Sequence, residues 1–220
     1  MPELEQDGEV FILRLDPDDE NRFSLDWLTA VETLLGQVEA MTGPCALVTA
    51  GSGKFWTNGL DLEWLLANGD QVGGYMARVN LLLARTLAMA PVTVAAVNGH
   101  AFGAGAMWAL AHDMRVMRDD RGYFCLPEVD LGLTIHPGMS ALIRSRLTAA
   151  TAHEAMTTGR RYGGEQALTA GIVDATASAD RVLAEAVELA RPLAAKAKPV
   201  RAQIKEGLYA ETLAALRAGR

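Results

Sequence analysis

Apolar residues between Ser24 and Met41 recur every three or four positions, which is the spacing of one face of an α-helix. The repeated apolar positions are Leu28, Val31, Leu35 and Val38. Ser24 is suited to cap the start of this helix because its hydroxyl can accept a hydrogen bond from a free backbone N–H of the first turn. Gly43-Pro44 follows the last apolar position and predicts the end of the helix.

Short apolar runs elsewhere in the chain predict strands. Val10–Leu15 is typical of an edge or hairpin strand, and Cys45–Thr49 of a short buried strand. Val92–Val97 is almost wholly apolar and rich in β-branched residues, which is typical of a strand buried on both faces in a parallel sheet. Met114–Met117 and Tyr123–Leu126 form a third unit of strands.

Helical segments alternate with these strands. The predicted helices lie over Leu81–Met89, from the Asn98–Gly105 turn through Ala111, after Pro137, and over Asp180–Ala195. This alternation predicts an α/β fold, with a core domain over residues 1–150 and a helical C-terminal region over residues 151–220. The sequence leaves open whether the C-terminal region covers the core or packs on another subunit.

Charge and composition narrow the functional classes. The formal net charge of −7 disfavours contact with the phosphates of a nucleic acid. Cys45 and Cys125 each stand alone in an apolar run, so we expect both to be core residues with reduced thiols. The N-terminus lacks a signal-peptide pattern, and no apolar run approaches the roughly 18 residues that a membrane-spanning helix needs. We therefore expect a cytoplasmic protein that binds neither nucleic acid nor membrane.

Standard nucleophile, metal and nucleotide motifs are absent from the sequence. There is no GxSxG elbow and no HExxH pair, and the four histidines show no ligand spacing, so no metal is expected. Gly51-Ser52-Gly53-Lys54 is not a phosphate-binding P-loop because its first glycine would have to stand at Val48. Gly103-Ala104-Gly105 lacks the third glycine of a dinucleotide-binding loop, whose position holds Trp108.

Two glycine-containing turns each lead from a predicted strand into a helix. Phe55–Leu62 forms the first turn and Asn98–Gly105 the second. Backbone N–H groups at the start of a helix lack helical partners and favour negative charge. If the two turns converge, they offer two donors to one oxygen atom, as in an oxyanion hole. The alternative is that these glycines only permit tight turns.

Glu128 follows the predicted strand Tyr123–Leu126 in an apolar neighbourhood. Partial burial of a carboxylate raises its pKa and makes it a stronger base. The alternatives are a surface glutamate beside Pro127 or a salt-bridge partner for an arginine. Asp130 is the rival carboxylate because residues two positions apart on an extended segment face the same side.

The ordered set of these segments resembles the crotonase (enoyl-CoA hydratase/isomerase) superfamily from about Val10 to about Ala195. The matching segments are Phe55–Leu62, Asn98–Gly105, Pro127-Glu128 with Leu131-Gly132-Leu133, Gly159, and Ala170-Gly171-Ile172-Val173-Asp174. Within the superfamily the chain is most similar to plant-type Δ3,Δ2-enoyl-CoA isomerases. The stretches that carry this similarity are Phe55–Leu62, Gly99-His100-Ala101, His112-Asp113, Val116-Met117-Arg118 and Glu128–Ile135.

The resemblance implies a crotonase-like spiral of ββα units, assembled as a homotrimer or a homohexamer, with an acyl-CoA as substrate. It also implies that the backbone N–H groups of Leu60 and Ala104 hold the thioester oxygen. Relatives often carry glycine at the position of Ala104, but the donor is the backbone, so this departure is mild. Coenzyme A enters as part of the substrate, and no bound cofactor is implied.

A choice between isomerase and hydratase follows from the same resemblance. In an isomerase, Glu128 would remove a proton from C2 of a 3-enoyl-CoA and return it to C4. Family hydratases use two glutamates, and the position of the first of these holds Met107 here. Methionine carries no proton for this chemistry, so we expect isomerase activity with weak or absent hydratase activity. The alternatives are acyl-CoA hydrolysis, C–C bond cleavage or a noncatalytic acyl-CoA-binding protein.

Further residues of the two turns are candidates for substrate binding. Asn58 and Asp61 are expected to shape the oxyanion turn by capping it. Gly59, Gly103 and Gly105 are further substrate-binding candidates in the two turns. The residues expected to line an acyl pocket are Phe102, Met107 and Trp108, with Trp56 and Trp64 as further candidates. Plain core packing is the alternative for the apolar side chains among them. Glu63 stands where many relatives carry lysine, so the contact with the nucleotide of coenzyme A is not predicted.

Overall fold

The computed structural model of the chain describes residues 1–15 and 20–218, and its strands form two sheets. The strands are β1 (Glu3–Asp7), β2 (Val10–Arg14), β3 (Ala46–Ala50), β4 (Phe55–Thr57), β5 (Val92–Val97), β6 (His100–Phe102), β7 (Met114–Arg118), β8 (Phe124–Cys125) and β9 (Ala175–Ala177). The larger sheet has the order β1-β2-β3-β5-β7-β9, and the smaller one the order β4-β6-β8. Among the strand pairs of the described residues, β1–β2 is antiparallel and the others are parallel.

Helices follow the strand pairs and then dominate the C-terminal region. They are α1 (Leu25–Glu39), α2 (Leu62–Ala67), α3 (Val72–Ala88), α4 (Ala104–Ala111), α5 (Pro137–Arg146), α6 (Ala149–Thr158), α7 (Gly164–Thr169), α8 (Val182–Ala190), α9 (Pro199–Leu208) and α10 (Ala210–Arg217). Short 3-10 turns lie at Gly69–Gln71, Pro127–Val129 and Arg191–Lys196. Among the described residues, no helix has the length and apolar character needed to cross a bilayer.

A ββα unit repeats three times along the chain. The units begin with β3-β4, β5-β6 and β7-β8, and each gives one strand to the larger sheet and the next to the smaller sheet. Helices α2, α4 and α5 follow the three pairs. The predicted α/β spiral of ββα units is therefore confirmed. It places the turns after β4 and β6 side by side, because those two strands are paired and parallel.

Local sequence signals explain several of these elements. Ser24 caps α1, where its hydroxyl accepts a hydrogen bond from the Trp27 N–H at 3.2 Å. All six residues of β5 are buried, as expected for a strand between two parallel neighbours. All eight residues of α4 are also buried, so this helix passes through the core behind the smaller sheet.

Several elements differ from the sequence prediction, among them β4 and β6, which lie in segments predicted as turns, and β9, which was not predicted. Strand β1 was not predicted, because four of its five side chains are exposed and carry no apolar signal. It covers the outer side of β2, so Val10–Arg14 is a hairpin strand but not an edge. Helix α3 begins at Val72, well before the predicted start at Leu81. The predicted helix over Asp180–Ala195 ends at Ala190, where Pro192 removes a backbone donor and a 3-10 turn follows.

The C-terminal helices pack on the core of the same chain. Asp113 lies between two of their cations, with Arg201 at 2.7 Å and Lys205 at 2.9 Å. Helix α10 approaches α5 so closely that a Cβ added at Gly138 would lie 2.7 Å from the Leu216 Cα. The described part of this region therefore covers the core of its own chain, whereas one face of α9 stays exposed at Val200, Ile204 and Leu208.

Candidate active site

The turn after β4 is held by hydrogen bonds on both sides of one free amide. The Asn58 N–H donates to the Glu20 carbonyl at 2.9 Å, and the Gly59 N–H donates to Thr57 Oγ1 at 3.1 Å. The Asp61 N–H donates to the Tyr75 hydroxyl at 3.0 Å. Within residues 1–15 and 20–218, the Leu60 N–H between them has no protein acceptor. This amide is therefore available to a ligand.

The direction of the Leu60 N–H is fixed by its own peptide plane. The Gly59 carbonyl, on the other side of that plane, accepts a hydrogen bond from the Phe23 N–H at 2.8 Å. Because a trans peptide points its C=O and N–H in opposite directions, the Leu60 N–H points away from Phe23. Asp61 then caps α2, with its Oδ1 accepting from the Trp64 N–H at 3.1 Å. Asp61 therefore caps the turn as predicted, and the Phe23 contact holds Gly59 in it.

The turn after β6 meets the first turn at Gly59. A Cβ added at Gly59 would lie 3.0 Å from both the Ala104 and the Gly105 nitrogens and 2.7 Å from the Phe102 carbonyl oxygen. Gly59 also has a φ of +77°, a region that favours glycine. Gly105 has the same lack of space, since an added Cβ would lie 2.7 Å from the Thr57 carbonyl oxygen. The two predicted turns therefore converge, and the glycines permit their approach.

The Ala104 N–H opens the first turn of α4. The Gly103 carbonyl, across the same peptide, accepts the Met107 N–H at 3.0 Å, so the Ala104 N–H points out of the helix N-terminus. No acceptor for it lies among the residues that the structure describes. The helix dipole favours negative charge at this end. Leu60 and Ala104 thus supply two free donors at the meeting point of the turns.

Glu128 lies beside this pair of amides. Its Oε1 would be 3.3 Å from a Cβ added at Gly103, the residue before Ala104. Its Oε2 is buried and has no hydrogen-bond partner in the described part of the chain. Burial raises the pKa of the Glu128 carboxyl, because the charged form loses its hydration. The prediction of a partly desolvated acid at this position is confirmed.

Asp130 does not join Glu128, so the prediction of a rival carboxylate on the same side is wrong. Residues Pro127–Val129 form a 3-10 turn and not an extended segment, so positions two apart no longer face one side. The Asp130 carboxylate lies against Gly159, where an added Cβ would be 2.5 Å from its Oδ2. Glu128 therefore remains the candidate proton carrier beside the two turns.

The apolar candidates separate into two groups. Trp108 is fully buried, stacks on Trp56 at 5.2 Å between ring centroids, and donates its Nε1–H to Thr86 at 2.9 Å. Its position is that of a core residue, which is the alternative weighed for it. Met107 is also almost fully buried, at 1% exposure, and presents no proton-carrying group to the site. Phe102 is partly exposed and its carbonyl borders Gly59.

The histidines take structural positions. His136 caps α5 by accepting the Gly138 N–H at 3.2 Å. His112 is fully buried and lies 2.9 Å from Thr49, and burial lowers its pKa to about 4, so it stays neutral. Burial first, and then the cations Lys54, Arg121 and Arg161, lower the pKa of His100. Among the described residues, no group of three or more His, Cys, Asp or Glu side chains is placed to hold a metal ion.

Sequence reasoning missed Tyr75, whose hydroxyl accepts a hydrogen bond from the turn after β4. It lies in α3, fourteen positions after Asp61, inside a helix whose predicted start was too late to include it. A long-range contact of this kind leaves no local pattern in the sequence. The Glu20–Phe23 segment, which supplies the other contacts to the turn, was missed for the same reason.

Comparison with known proteins adds independent observations. A family model described as enoyl-CoA hydratase/isomerase matches residues 5–220. The peroxisomal enoyl-CoA delta isomerase 2 of Arabidopsis thaliana is 37% identical over 94% of this chain and 92% of that protein. Enoyl-CoA delta isomerase 3 of the same plant is 38% identical with the same coverage of both chains. The apo structure of an enoyl-CoA isomerase from Mycobacterium tuberculosis has a TM-score of 0.91 at 26% identity, covering 99% of this chain and 95% of its own.

Proposed function

The chain belongs to the enoyl-CoA hydratase/isomerase family, as its sequence predicts, and we propose that it moves the double bond of a 3-enoyl-CoA into conjugation with the thioester. The observation that carries this proposal is the meeting of two free backbone amides, Leu60 and Ala104, beside the buried, unpartnered carboxylate oxygen of Glu128. The similarity to the two Arabidopsis isomerases supports the same reaction.

The two amides are placed to stabilise the negative charge that develops during the reaction. Removal of a C2 proton next to a thioester leaves negative charge on the carbonyl oxygen, and this charge is what makes the proton hard to remove. Fixed N–H donors on Leu60 and Ala104 stabilise that charge without having to reorganise. Each such donor contributes about 3 kcal/mol to transition-state stabilisation in acyl-transfer enzymes.

Glu128 carries the proton between the two carbon atoms. Its raised pKa makes it a stronger base than an exposed glutamate, and its unpartnered Oε2 has a free lone pair to accept a proton. The carboxylate removes the proton from C2 and returns it to C4, while the double bond moves from C3–C4 to C2–C3. The carboxylate is regenerated at the end, so one acid suffices.

Hydration of the double bond needs a second proton-carrying group to activate water. The corresponding position in α4 holds Met107, whose thioether neither accepts nor donates that proton. Asp130, the nearest other carboxylate in sequence, lies against Gly159. We therefore propose that hydratase activity is weak or absent.

The surrounding residues would orient the substrate. We propose that Asn58, Gly59 and Asp61 shape one side of the thioester site, and that Phe102, Gly103 and Gly105 border the other. Asn58 is itself held by its amide, which donates to Glu20 Oε2 at 2.7 Å. Coenzyme A would bind as part of the substrate, and the proposed reaction uses no other cofactor.

Purified protein and a 3-enoyl-CoA test this function directly. The expected result is a new ultraviolet absorption band from the conjugated 2-enoyl thioester, with little hydration of crotonyl-CoA in a parallel assay. Acyl-CoA binding without conjugation, and without exchange of the C2 protons into deuterated water, would instead support a noncatalytic binding protein.

We also propose that the chain assembles as a homotrimer or a pair of trimers. Helix α9 exposes an apolar stripe of Val200, Ile204 and Leu208, which are 54%, 62% and 68% exposed. The spacing of four residues puts the three on one helix face, where a second copy of the chain would cover them. Light scattering on the wild type and on Ile204→Glu tests this, with a lower mass expected for the variant.

A further inference from the structure

We propose that Tyr75 is a positioning residue whose hydroxyl fixes the direction of the Leu60 amide, through the Phe23 backbone and the Asp61 amide. This inference rests on the proposed function, because it assigns Tyr75 a part in aiming one of the two oxyanion donors. Tyr75 does not border the reacting atoms and acts only through the turn.

The Tyr75 hydroxyl bridges the Phe23 carbonyl and the Asp61 amide, at the opposite end of the turn from the bond between Asn58 and Glu20. It donates to the Phe23 carbonyl at 2.8 Å and accepts from the Asp61 N–H at 3.0 Å. The side chain is 3% exposed, so water does not substitute easily for either bond. Burial raises the pKa of Tyr75 to about 12, which keeps the hydroxyl protonated and able to donate.

Phe23 completes a closed ring of contacts around the free amide. Its N–H donates to the Gly59 carbonyl at 2.8 Å, while its carbonyl accepts from Tyr75. The Gly59 carbonyl and the Leu60 N–H belong to one planar peptide, so holding the carbonyl aims the N–H. The ring therefore runs from Tyr75 to Phe23, to the Gly59–Leu60 peptide, and back through Asp61.

Glycine makes this restraint necessary. With no Cβ, Gly59 can rotate its following peptide plane at little cost, which would turn the Leu60 N–H away from Ala104. The bonds on Phe23 and Asp61 oppose that rotation from the two ends of the turn. Without the Tyr75 hydroxyl, the Asp61 N–H and the Phe23 carbonyl both lose their partner, and the turn is held by its remaining bonds alone.

The test is Tyr75→Phe, which removes only the hydroxyl oxygen. The ring itself is expected to remain packed against Trp64, at 5.3 Å between ring centroids. The matched control is Tyr162→Phe, which removes an equally buried ring's hydroxyl bond to Glu154 at 2.7 Å. Thermal unfolding, kcat and KM with a 3-enoyl-CoA, and amide hydrogen exchange are measured on both variants and the wild type.

We expect Tyr75→Phe to lower kcat about 10- to 100-fold with KM within about twofold, because the misaimed donor acts mainly on the transition state. The control is expected to keep kcat within about twofold, with a comparable change in Tm. A merely structural role for Tyr75 predicts the same kcat for both variants at matched Tm, and that result would overturn the proposal.

Hydrogen exchange separates this inference from the proposed function. The Asp61 amide is expected to be protected in the wild type and in Tyr162→Phe, and to exchange at least about tenfold faster in Tyr75→Phe. If the wild type does not isomerise any 3-enoyl-CoA, the proposed function fails and the exchange data decide the positioning contact alone. Unchanged protection of Asp61 in Tyr75→Phe would overturn the inference even in an active enzyme.

Discussion

The two turns that meet at the site hold their free amides by different means. The Ala104 N–H is aimed by local structure, because the Gly103 carbonyl in the same peptide is the first acceptor of α4. The Leu60 N–H is aimed by distant structure, because the Gly59 carbonyl is held by Phe23, in a segment far earlier in the chain. One donor is thus aimed by the hydrogen bonds of its own helix, and the other by contacts with distant segments.

The two donors therefore differ in how easily a substitution disturbs their direction. A helix N-terminus leaves its first N–H groups without partners wherever it forms, so the Ala104 donor needs no further support. The Leu60 donor depends on several separate contacts, each of which can be removed by one substitution. We therefore expect changes on the Ala104 side to act through the chemical groups they remove, and changes on the Leu60 side to act through geometry.

The largest expected effect comes from Glu128→Gln, on the Ala104 side. The amide has nearly the same shape but cannot accept the C2 proton, so kcat should fall by at least about 1,000-fold. Steady-state rates of isomerisation measure this loss, and Glu154→Gln, at a half-buried glutamate that bonds to Tyr162 and Arg160, is the matched control. A Glu128→Gln enzyme of ordinary activity would remove the proposed base.

Stability provides a second readout for the same variant. The pKa of Glu128 is raised in the folded protein, so the folded state binds its proton more tightly than the unfolded state. Ionisation above the unfolded pKa therefore costs stability, and the neutral glutamine avoids that cost. Glu128→Gln should have a Tm at pH 7 equal to or above that of the wild type.

The next largest effect is expected from Ala104→Pro. Proline at the first position of a helix is tolerated, and it removes the N–H without removing an internal hydrogen bond of α4. The loss of one oxyanion donor should lower kcat by about 100- to 1,000-fold. Ala104→Gly keeps the donor and should stay active. Equal activity of the proline and glycine variants would show that this amide does not bind the oxygen.

The sequence predicted the Ala104 side well because its signals are local. Val92–Val97 and the glycine turn after it follow the common pattern of strand, turn and helix, and Glu128 stands in an apolar stretch close to its strand. Asp130 was misplaced because a 3-10 turn and an extended segment look alike over three residues.

The Leu60 side was predicted only in outline. Its turn and its capping Asp61 are visible in the sequence, but Tyr75 and Phe23 reach it from other elements. Trp108 shows the same limit of prediction from sequence. An apolar residue near a predicted site fits equally well with lining the pocket and with packing in the core. Only the packing of Trp56 and Thr86 around it places it in the core.

A pair of glycine substitutions compares the geometry of the two sides. Gly59→Ala puts a Cβ 2.7 Å from a backbone oxygen, whereas a Cβ at Gly103 meets the Glu128 side-chain oxygen at 3.3 Å. Both residues have positive φ, so each alanine carries backbone strain of about 1–3 kcal/mol. We expect Gly59→Ala to lose more unfolding free energy than Gly103→Ala, as measured by chemical denaturation.

A helical glycine supplies the control for this pair. Gly73 lies in α3 with nothing within 4 Å of an added Cβ, and Gly73→Ala should stabilise the protein by up to about 1 kcal/mol. If Gly103→Ala were more destabilising than Gly59→Ala, the close approach of the two turns at Gly59 would not be the tighter constraint.

The smallest expected effect is on the pH dependence of the wild type. Glu128 must be ionised to act as a base, so kcat/KM should decline as pH falls through its pKa in the free enzyme. Burial raises that pKa, so the midpoint of the acidic limb should lie above the roughly 4.3 of an exposed glutamate. A midpoint below that value would indicate a different base or a charged partner for Glu128.

Transfer of a labelled proton is the measurement that tests the central claim most directly. A 3-enoyl-CoA with deuterium at C2 is incubated with the wild type and with Glu128→Gln, and the 2-enoyl-CoA product is analysed by mass spectrometry and NMR. If the two amides and the carboxylate act together, the wild type forms the conjugated product with part of the deuterium at C4. Glu128→Gln is then expected to form no detectable conjugated product. Conjugation at equal rates by both proteins, or no conjugation and no loss of C2 deuterium with the wild type, would contradict the account.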